Sequence, residues 1–139
     1  MYEVLVPIGD NPDRAAHQVS FVADMPCAST ELRATLTHAL GSAEQEAPEP
    51  MRHPGRVKTV RDARDDLEDA GVEVQLSEIS APPSRGILSL AEELDADLIV
   101  MAARKRSPAG KLLFGSVTQT VLLNTDRTVA VTGETEPVE

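Results

Sequence analysis

The chain has 139 residues, with 23 Asp and Glu side chains against 13 Lys and Arg and a formal net charge of −10. This length fits one domain (1–139) with a single core, and the negative charge argues against nucleic acid as a partner. A lone cysteine, Cys27, excludes an intramolecular disulfide, and the first residues lack the pattern of a signal peptide or membrane span. We therefore expect a cytoplasmic protein without membrane contact, and the acidic surface indicates a halophilic source.

Two segments, 4–8 and 98–103, are apolar almost without interruption. Such runs are typical of strands that are covered on both faces in the middle of a parallel sheet. Apolar and polar residues alternate in 31–40 and 72–78, and a short apolar run in 128–133 closes the set. We expect five strands, with the alternating ones further from the centre of the sheet.

Apolar residues recur at helical spacing between these strands. The first predicted helix begins at Pro12, the second ends at Gly71, and the third follows two prolines at 82 and 83. The fourth begins after Gly115, where Ser116 and Gln119 have the spacing of a capping box. Residues 41–55 contain three prolines and no periodicity, which predicts a mobile loop.

The alternation of strands and helices predicts the α/β class: an open parallel five-stranded sheet with strand order 3-2-1-4-5 and helices on both faces. The direction of winding reverses between the first and fourth strands. Ligands of such sheets bind in the crevice at that point, beyond the carboxyl ends of the strands. The loops that meet there are 7–10 and 102–115.

The loop after the fourth strand gathers four of the thirteen cations, Arg104, Lys105, Arg106 and Lys111. The sequence GSVTQ that follows offers the free N–H groups of a helix start, which is a favourable seat for phosphate. The residues alone leave two interpretations open. The loop is either an anion site, or a plain turn and cap whose cations extend over acidic neighbours.

Three stretches carry a resemblance to a known family: VLVPIGDN (4–11), ILSLAEELDADLIVMAARKRSPAGKLLFGSVTQTVL (87–122) and RTVAVTG (127–133). They resemble the universal stress protein family. The resemblance implies an adenine nucleotide alpha hydrolase-like α/β domain with the same strand order. It also implies one branch that binds ATP, one that does not, and frequent homodimers through the last strand. That strand would contribute Thr128, Val129, Ala130 and Val131 here.

The ATP-binding branch of that family has a strand-end Met-Gly, two variable residues, a second Gly, nine more residues and Gly-Ser or Gly-Thr. In this chain Ala102 and Lys105 replace the two glycines. After the first strand the family usually has an Asp that lies under adenine and ribose, where this chain has Gly9, with Asp10 one residue later. The resemblance implies these residues for binding ATP or AMP: Pro7, Ile8, Gly9, Met101, Ala102, Lys105, Gly115, Ser116 and Val117.

We therefore expect a stress-response protein that binds an adenine nucleotide or another phosphate ester and reports its level through a dimer or an unidentified regulatory protein. The alternative is a member that binds no nucleotide and acts as a dimerising interaction module. We expect no enzymatic activity beyond slow ATP hydrolysis, because His17, His38 and His53 are scattered without a catalytic partner motif. We also expect no metal site, because no His/Cys pair has ligand spacing.

Overall fold

The computed structural model describes residues 1–39, 54–103 and 114–133. These residues form five strands, five α-helices and one short 3₁₀ helix. Their bounds, in chain order, are β1 Tyr2–Ile8, α1 Pro12–Ala23, α2 Ala28–Glu31, β2 Leu32–His38, the 3₁₀ helix Pro54–Arg56, α3 Lys58–Asp69, β3 Glu73–Leu76, α4 Pro83–Leu94, β4 Leu98–Ala102, α5 Ser116–Asn124 and β5 Thr128–Thr132. The four-residue helix α2 was not predicted.

All five strands are parallel and lie in the order β3-β2-β1-β4-β5, which confirms the predicted sheet. β1 pairs with β2 along its whole length. Its pairing with β4 covers only two positions, Val4 with Leu98 and Leu5 with Ile99. The two central strands therefore separate toward their carboxyl ends, and a crevice opens at the point where the winding reverses.

The sheet has a hydrophobic layer on each face. Alternate residues of β1 enter opposite layers, with Val4 and Val6 packed against α1 and α3 and Leu5 packed against α4 and α5. β4 behaves in the same way, since Val100 belongs to the first layer and Ile99 to the second. Double coverage explains why these two strands are apolar almost without interruption.

Local interactions explain where the helices begin and end, and at one helix start the prediction was wrong. Asn11 caps α1, because its side-chain oxygen accepts a hydrogen bond from the backbone N–H of Arg14 at 3.0 Å. Gly71 follows α3 with a φ of 83°, a left-handed backbone that favours glycine. The predicted capping box at the start of α5 is wrong. Gly115 is the N-cap residue and has no side chain to accept a hydrogen bond.

Arg127 fixes the start of β5 against the end of α4. Its guanidinium donates hydrogen bonds to the Asp95 carboxylate at 3.1 Å and to the carbonyl of Ala96 at 2.7 Å. The hydrogen bond with Asp95 raises the pKa of Arg127 above its ordinary value. This contact holds the edge strand in place beside β4.

The predicted loop at 41–55 lies outside the described residues except at its end, where Pro54 and Gly55 begin the 3₁₀ helix. Within the described part of the chain, no helix combines the length and the apolar character needed to cross a bilayer.

Candidate functional site

A cavity of about 350 Å³ lies at the carboxyl ends of β1 and β4. It occupies the crevice that the sheet topology predicts as a ligand site. Seven of the nine predicted site residues line it: Pro7, Gly9, Met101, Ala102, Gly115, Ser116 and Val117. The structure therefore brings together residues from the two ends of the chain.

The other two predicted residues do not contribute in the same way. The side chain of Ile8 is fully buried in the first hydrophobic layer and is not among the lining residues. Its backbone carbonyl accepts a hydrogen bond from the N–H of Ala39 at 2.8 Å, which joins β1 to the end of β2. Lys105 lies outside the described residues, together with the rest of the cation cluster at 104–111.

Gly9 forms the β1 side of the cavity. Its carbonyl accepts a hydrogen bond from the hydroxyl of Thr59 at 2.7 Å, and this bond attaches the loop after β1 to the start of α3. A Cβ atom added at Gly9 would meet nothing within 4 Å, and the residue does not have a left-handed backbone. The position at which the family that this sequence resembles usually carries Asp therefore has room for a side chain.

Ala102 and the start of α5 form the opposite wall. The hydroxyl of Thr118 donates to the carbonyl of Ala102 at 3.1 Å, which ties the first turn of α5 to the end of β4. Ala102 is not among the described non-glycine residues with positive φ, so its backbone does not require glycine. Because Gly115 offers no capping side chain, the first-turn N–H groups of α5 and the positive end of its dipole are available at this wall.

Gln18 forms the floor between the two walls. It lies on α1 and is 1% exposed. Its side-chain Nε2 donates to the carbonyl of Pro7 at 2.7 Å and to the carbonyl of Val100 at 3.0 Å. The side chain thus bridges β1 and β4 where their own pairing has ended.

Two charged side chains of the described residues, Arg14 and Asp10, line the cavity. Arg14 supplies positive charge, whereas the Asp10 carboxylate is an acceptor. The Nε2 atom of His38 lies 2.8 Å from Oδ1 of Asp10. A ligand in this cavity therefore meets the N–H groups of α5 at one wall, and both the Arg14 guanidinium and the Asp10 carboxylate on the β1 side.

Six lining residues were not among the predicted binding residues: Asp10, Asn11, Arg14, Gln18, Ala39 and Thr118. Of these, only Asp10 belongs to a loop that the sequence had placed at the crevice. Arg14 and Thr118 were within reach of the sequence, because each lies in the first turn of a helix that follows a predicted binding loop. Gln18 carried a weaker signal, a long polar side chain one position before Val19 of the apolar helical face. Its role depends on two strands 82 and 11 residues away.

Among the described residues, no cluster of three or more His, Cys, Asp or Glu side chains could hold a metal ion.

Comparisons with known proteins agree with this geometry. The model of the universal stress protein family matches residues 1–133. A curated universal stress protein of Mycolicibacterium smegmatis is 35% identical over 71 residues, which is 50% of this chain and 55% of that protein. The match thus spans only about half of the length of that relative.

Solved structures show the same fold. A universal stress protein from Archaeoglobus fulgidus superposes with a TM-score of 0.75 at 26% identity, covering 95% of this chain and 98% of that one. The universal stress protein from Archaeoglobus fulgidus in complex with dAMP gives a TM-score of 0.71 at 21% identity, with coverage of 95% and 98%. The family match over residues 1–133 and the shared sheet together show that this chain belongs to the universal stress protein family.

Proposed function

We propose that this protein is a stress-response protein that binds an adenine nucleotide, or a closely related phosphate ester, in the cavity between β1 and β4. One observation carries the proposal. A cavity of about 350 Å³ stands at the topological switch point, with the uncapped start of α5 as one wall. Its volume falls within the usual range for small-molecule sites, roughly 300–1,000 Å³.

The charges of the lining residues support a phosphate at the α5 wall. The dipole of α5 places about half a positive charge at its first turn. Arg14, in the first turn of α1, adds a full positive charge to the same cavity, which the Asp10 carboxylate opposes. The cation cluster at 104–111 belongs to the loop that connects β4 to this helix. An anion is thus attracted to this corner of an otherwise negative protein.

The two departures from the family motif that fall on described residues do not oppose binding. Ala102 has an ordinary strand backbone, so the missing glycine costs no backbone strain. Gly9 lacks the usual carboxylate, but Asp10 lies one residue later and lines the same cavity. The relative crystallised with dAMP makes an adenine nucleotide the first ligand to test.

Isothermal titration calorimetry with ATP, ADP and AMP tests the proposal. We expect a saturable heat with one site per chain for at least one of the three. Absence of heat at millimolar ligand for all three would overturn it. Catalysis is not part of the proposal, and nucleotide turnover would be slow or absent.

A second candidate function is that of a dimerising interaction module, and the position of β5 favours it. β5 is the last strand of the described sheet and pairs only with β4. Its outer edge offers backbone donors and acceptors for pairing with another copy or a regulatory protein. Sedimentation with and without nucleotide separates the candidates, because only the nucleotide-binding function predicts a ligand-dependent change in the affinity for a partner.

A further inference from the structure

Gln18 has a hydrogen-bonding pattern that fixes which way its amide faces. The carbonyl oxygens of Pro7 and Val100 are both acceptors, and both lie within hydrogen-bond distance of Nε2, at 2.7 and 3.0 Å. Only the NH₂ group has two hydrogens to give them. The reversed amide would place three oxygens against one another, so the network determines the orientation.

The amide oxygen is therefore the polar atom of this side chain that has no hydrogen-bond partner among the described residues. Both Nε2 hydrogens are used, and Oε1 accepts no hydrogen bond from any part of the chain that the structure describes. Gln18 is 1% exposed, and it lines the cavity. Oε1 does not belong to the fully enclosed polar atoms that lack a partner, so it retains accessible surface in a residue that lines the cavity. A buried acceptor without a donor costs free energy until a ligand or water supplies one.

This acceptor excludes one part of a nucleotide and favours another. A phosphate presents only acceptors and is repelled by Oε1, whereas a sugar hydroxyl has a hydrogen to donate. Gln18 bonds to Val100, and Thr118 ties the phosphate wall to Ala102, two residues further along β4. Two strand residues span roughly 7 Å. In a nucleotide, the group that is bonded to the phosphate and lies at about this distance from it is the ribose.

We propose that Oε1 of Gln18 accepts a hydrogen bond from a ribose hydroxyl of the bound nucleotide and makes the cavity selective for ribonucleotides over their deoxy forms. This inference rests on the proposed function and adds the sugar specificity of the same site. Nε2 of the same side chain has a separate role, because it bridges β1 and β4 through the carbonyls of Pro7 and Val100.

The test combines one change in the protein with one change in the ligand and compares the four affinities. Calorimetry compares ATP with 2′-deoxy-ATP and 3′-deoxy-ATP on the wild type and on Gln18→Met, which keeps the length of the side chain but has no amide. We expect the wild type to bind at least one deoxy form about five- to tenfold more weakly than ATP, the effect of one hydrogen bond. In Gln18→Met this ratio falls to about one.

A control separates recognition from loosening of the site. Thr118→Val removes a different hydrogen bond between a helix and a strand of the same cavity. It should weaken the binding of ATP and the deoxy forms together and so keep the wild-type ratio. Equal binding of all three nucleotides by the wild type, or an unchanged ratio in Gln18→Met, overturns the inference and leaves the proposed function standing. Absence of binding of ATP, ADP and AMP alike by the wild type overturns both.

A second measurement needs no variant. The side-chain carbonyl carbon of Gln18 is observed by NMR in protein labelled with ¹³C and ¹⁵N, first without ligand and then with ATP or each deoxy form. A new hydrogen bond to Oε1 shifts this carbon downfield. We expect the shift with ATP and its loss with the deoxy form that binds more weakly. The same shift with all three nucleotides overturns the assignment to a sugar hydroxyl.

Discussion

The imidazole Nε2 of His38 lies 2.8 Å from Oδ1 of Asp10. His38 ends β2 and is almost fully buried, whereas Asp10 follows β1 and is mostly exposed at the cavity. The pair joins the end of one strand to the binding loop after its neighbour, 28 residues away in sequence. A histidine without a visible partner in the sequence is thus a support for the carboxylate at the edge of the site.

The first prediction concerns the tautomer of His38. A carboxylate can only accept, so Nε2 should carry the proton, and Nδ1 is enclosed without a hydrogen-bond partner among the described residues. We expect the Nε2–H tautomer at pH 8 in a long-range ¹H–¹⁵N NMR spectrum of the ring. In Asp10→Ala the two tautomers should mix. A dominant Nδ1–H form in the wild type would contradict the pairing.

The second prediction tests the phosphate wall with a charge. Ser116 is the first residue of α5, is exposed and lines the cavity. Ser116→Asp should weaken ATP binding about tenfold or more, since like charges within about 4 Å repel by about 1–4 kcal/mol in partly exposed sites. An acidic residue at a helix start stabilises the helix by about 0.3–1 kcal/mol, so the melting temperature should not fall.

The matched control for this charge is Gln119→Asp. Gln119 is exposed one turn further along α5 and does not line the cavity, yet the variant has the same net charge as Ser116→Asp. Its affinity for ATP should stay within about twofold of the wild type, because exposed charges at longer range are screened. Equal losses in the two variants would mean that α5 attracts anions only through the overall field.

The third prediction contrasts two glycines. A Cβ at Gly86 would stand 2.2 Å from the carbonyl oxygen of Ser80 and 2.8 Å from the Cβ of Ile79, whereas a Cβ at Gly9 meets nothing. Gly86→Ala should lower the free energy of unfolding by about 2 kcal/mol, a typical cost of overpacking. Gly9→Ala should stay within about 0.5 kcal/mol of the wild type. Urea unfolding of both variants measures the difference, and a stable Gly86→Ala protein would contradict this packing.

The fourth prediction addresses the proposed dimer through β5. The carbonyl of Thr132 accepts from the N–H of Ala103, on the β4 side, at 2.8 Å. Because successive strand residues alternate, the backbone groups of Val131 point to the open edge. Val131→Pro removes this outward N–H, which the hydrogen bonds between β5 and β4 do not use. We expect a dimer for the wild type and a monomer for the proline variant in sedimentation velocity.

Val131→Ala is the control for that experiment. The side chains of Val129 and Val131 pack against the second hydrophobic layer, so a charged substitution at either would disturb the core together with any dimer. Alanine loses comparable packing but keeps the N–H, and this variant should remain a dimer. Two monomeric variants would assign the effect to lost packing, and a dimeric proline variant would exclude pairing along this edge.

The sequence was sufficient for the sheet because the relevant signals are local. Val4 to Ile8 and Leu98 to Met101 are buried between the two hydrophobic layers, and that environment leaves an uninterrupted apolar run in the sequence. Once the two central strands are known, the rules of chain connection leave few possible orders. The crevice and its two loops follow from the order, which is why most of the predicted site residues line one cavity.

The chemistry inside that cavity depends on contacts between residues that are distant in the sequence. Gln18 is the floor because Pro7 and Val100 both lie within reach of one amide, and His38 supports Asp10 because β2 ends beside β1. These contacts join residues 11 to 82 positions apart, and no periodicity within a segment encodes them. Local patterns in the sequence were enough to predict which segments are buried and in what order they associate. The three-dimensional arrangement decided which polar atoms are satisfied within the protein and which are left to meet a ligand, because hydrogen bonds depend on distance and direction in space.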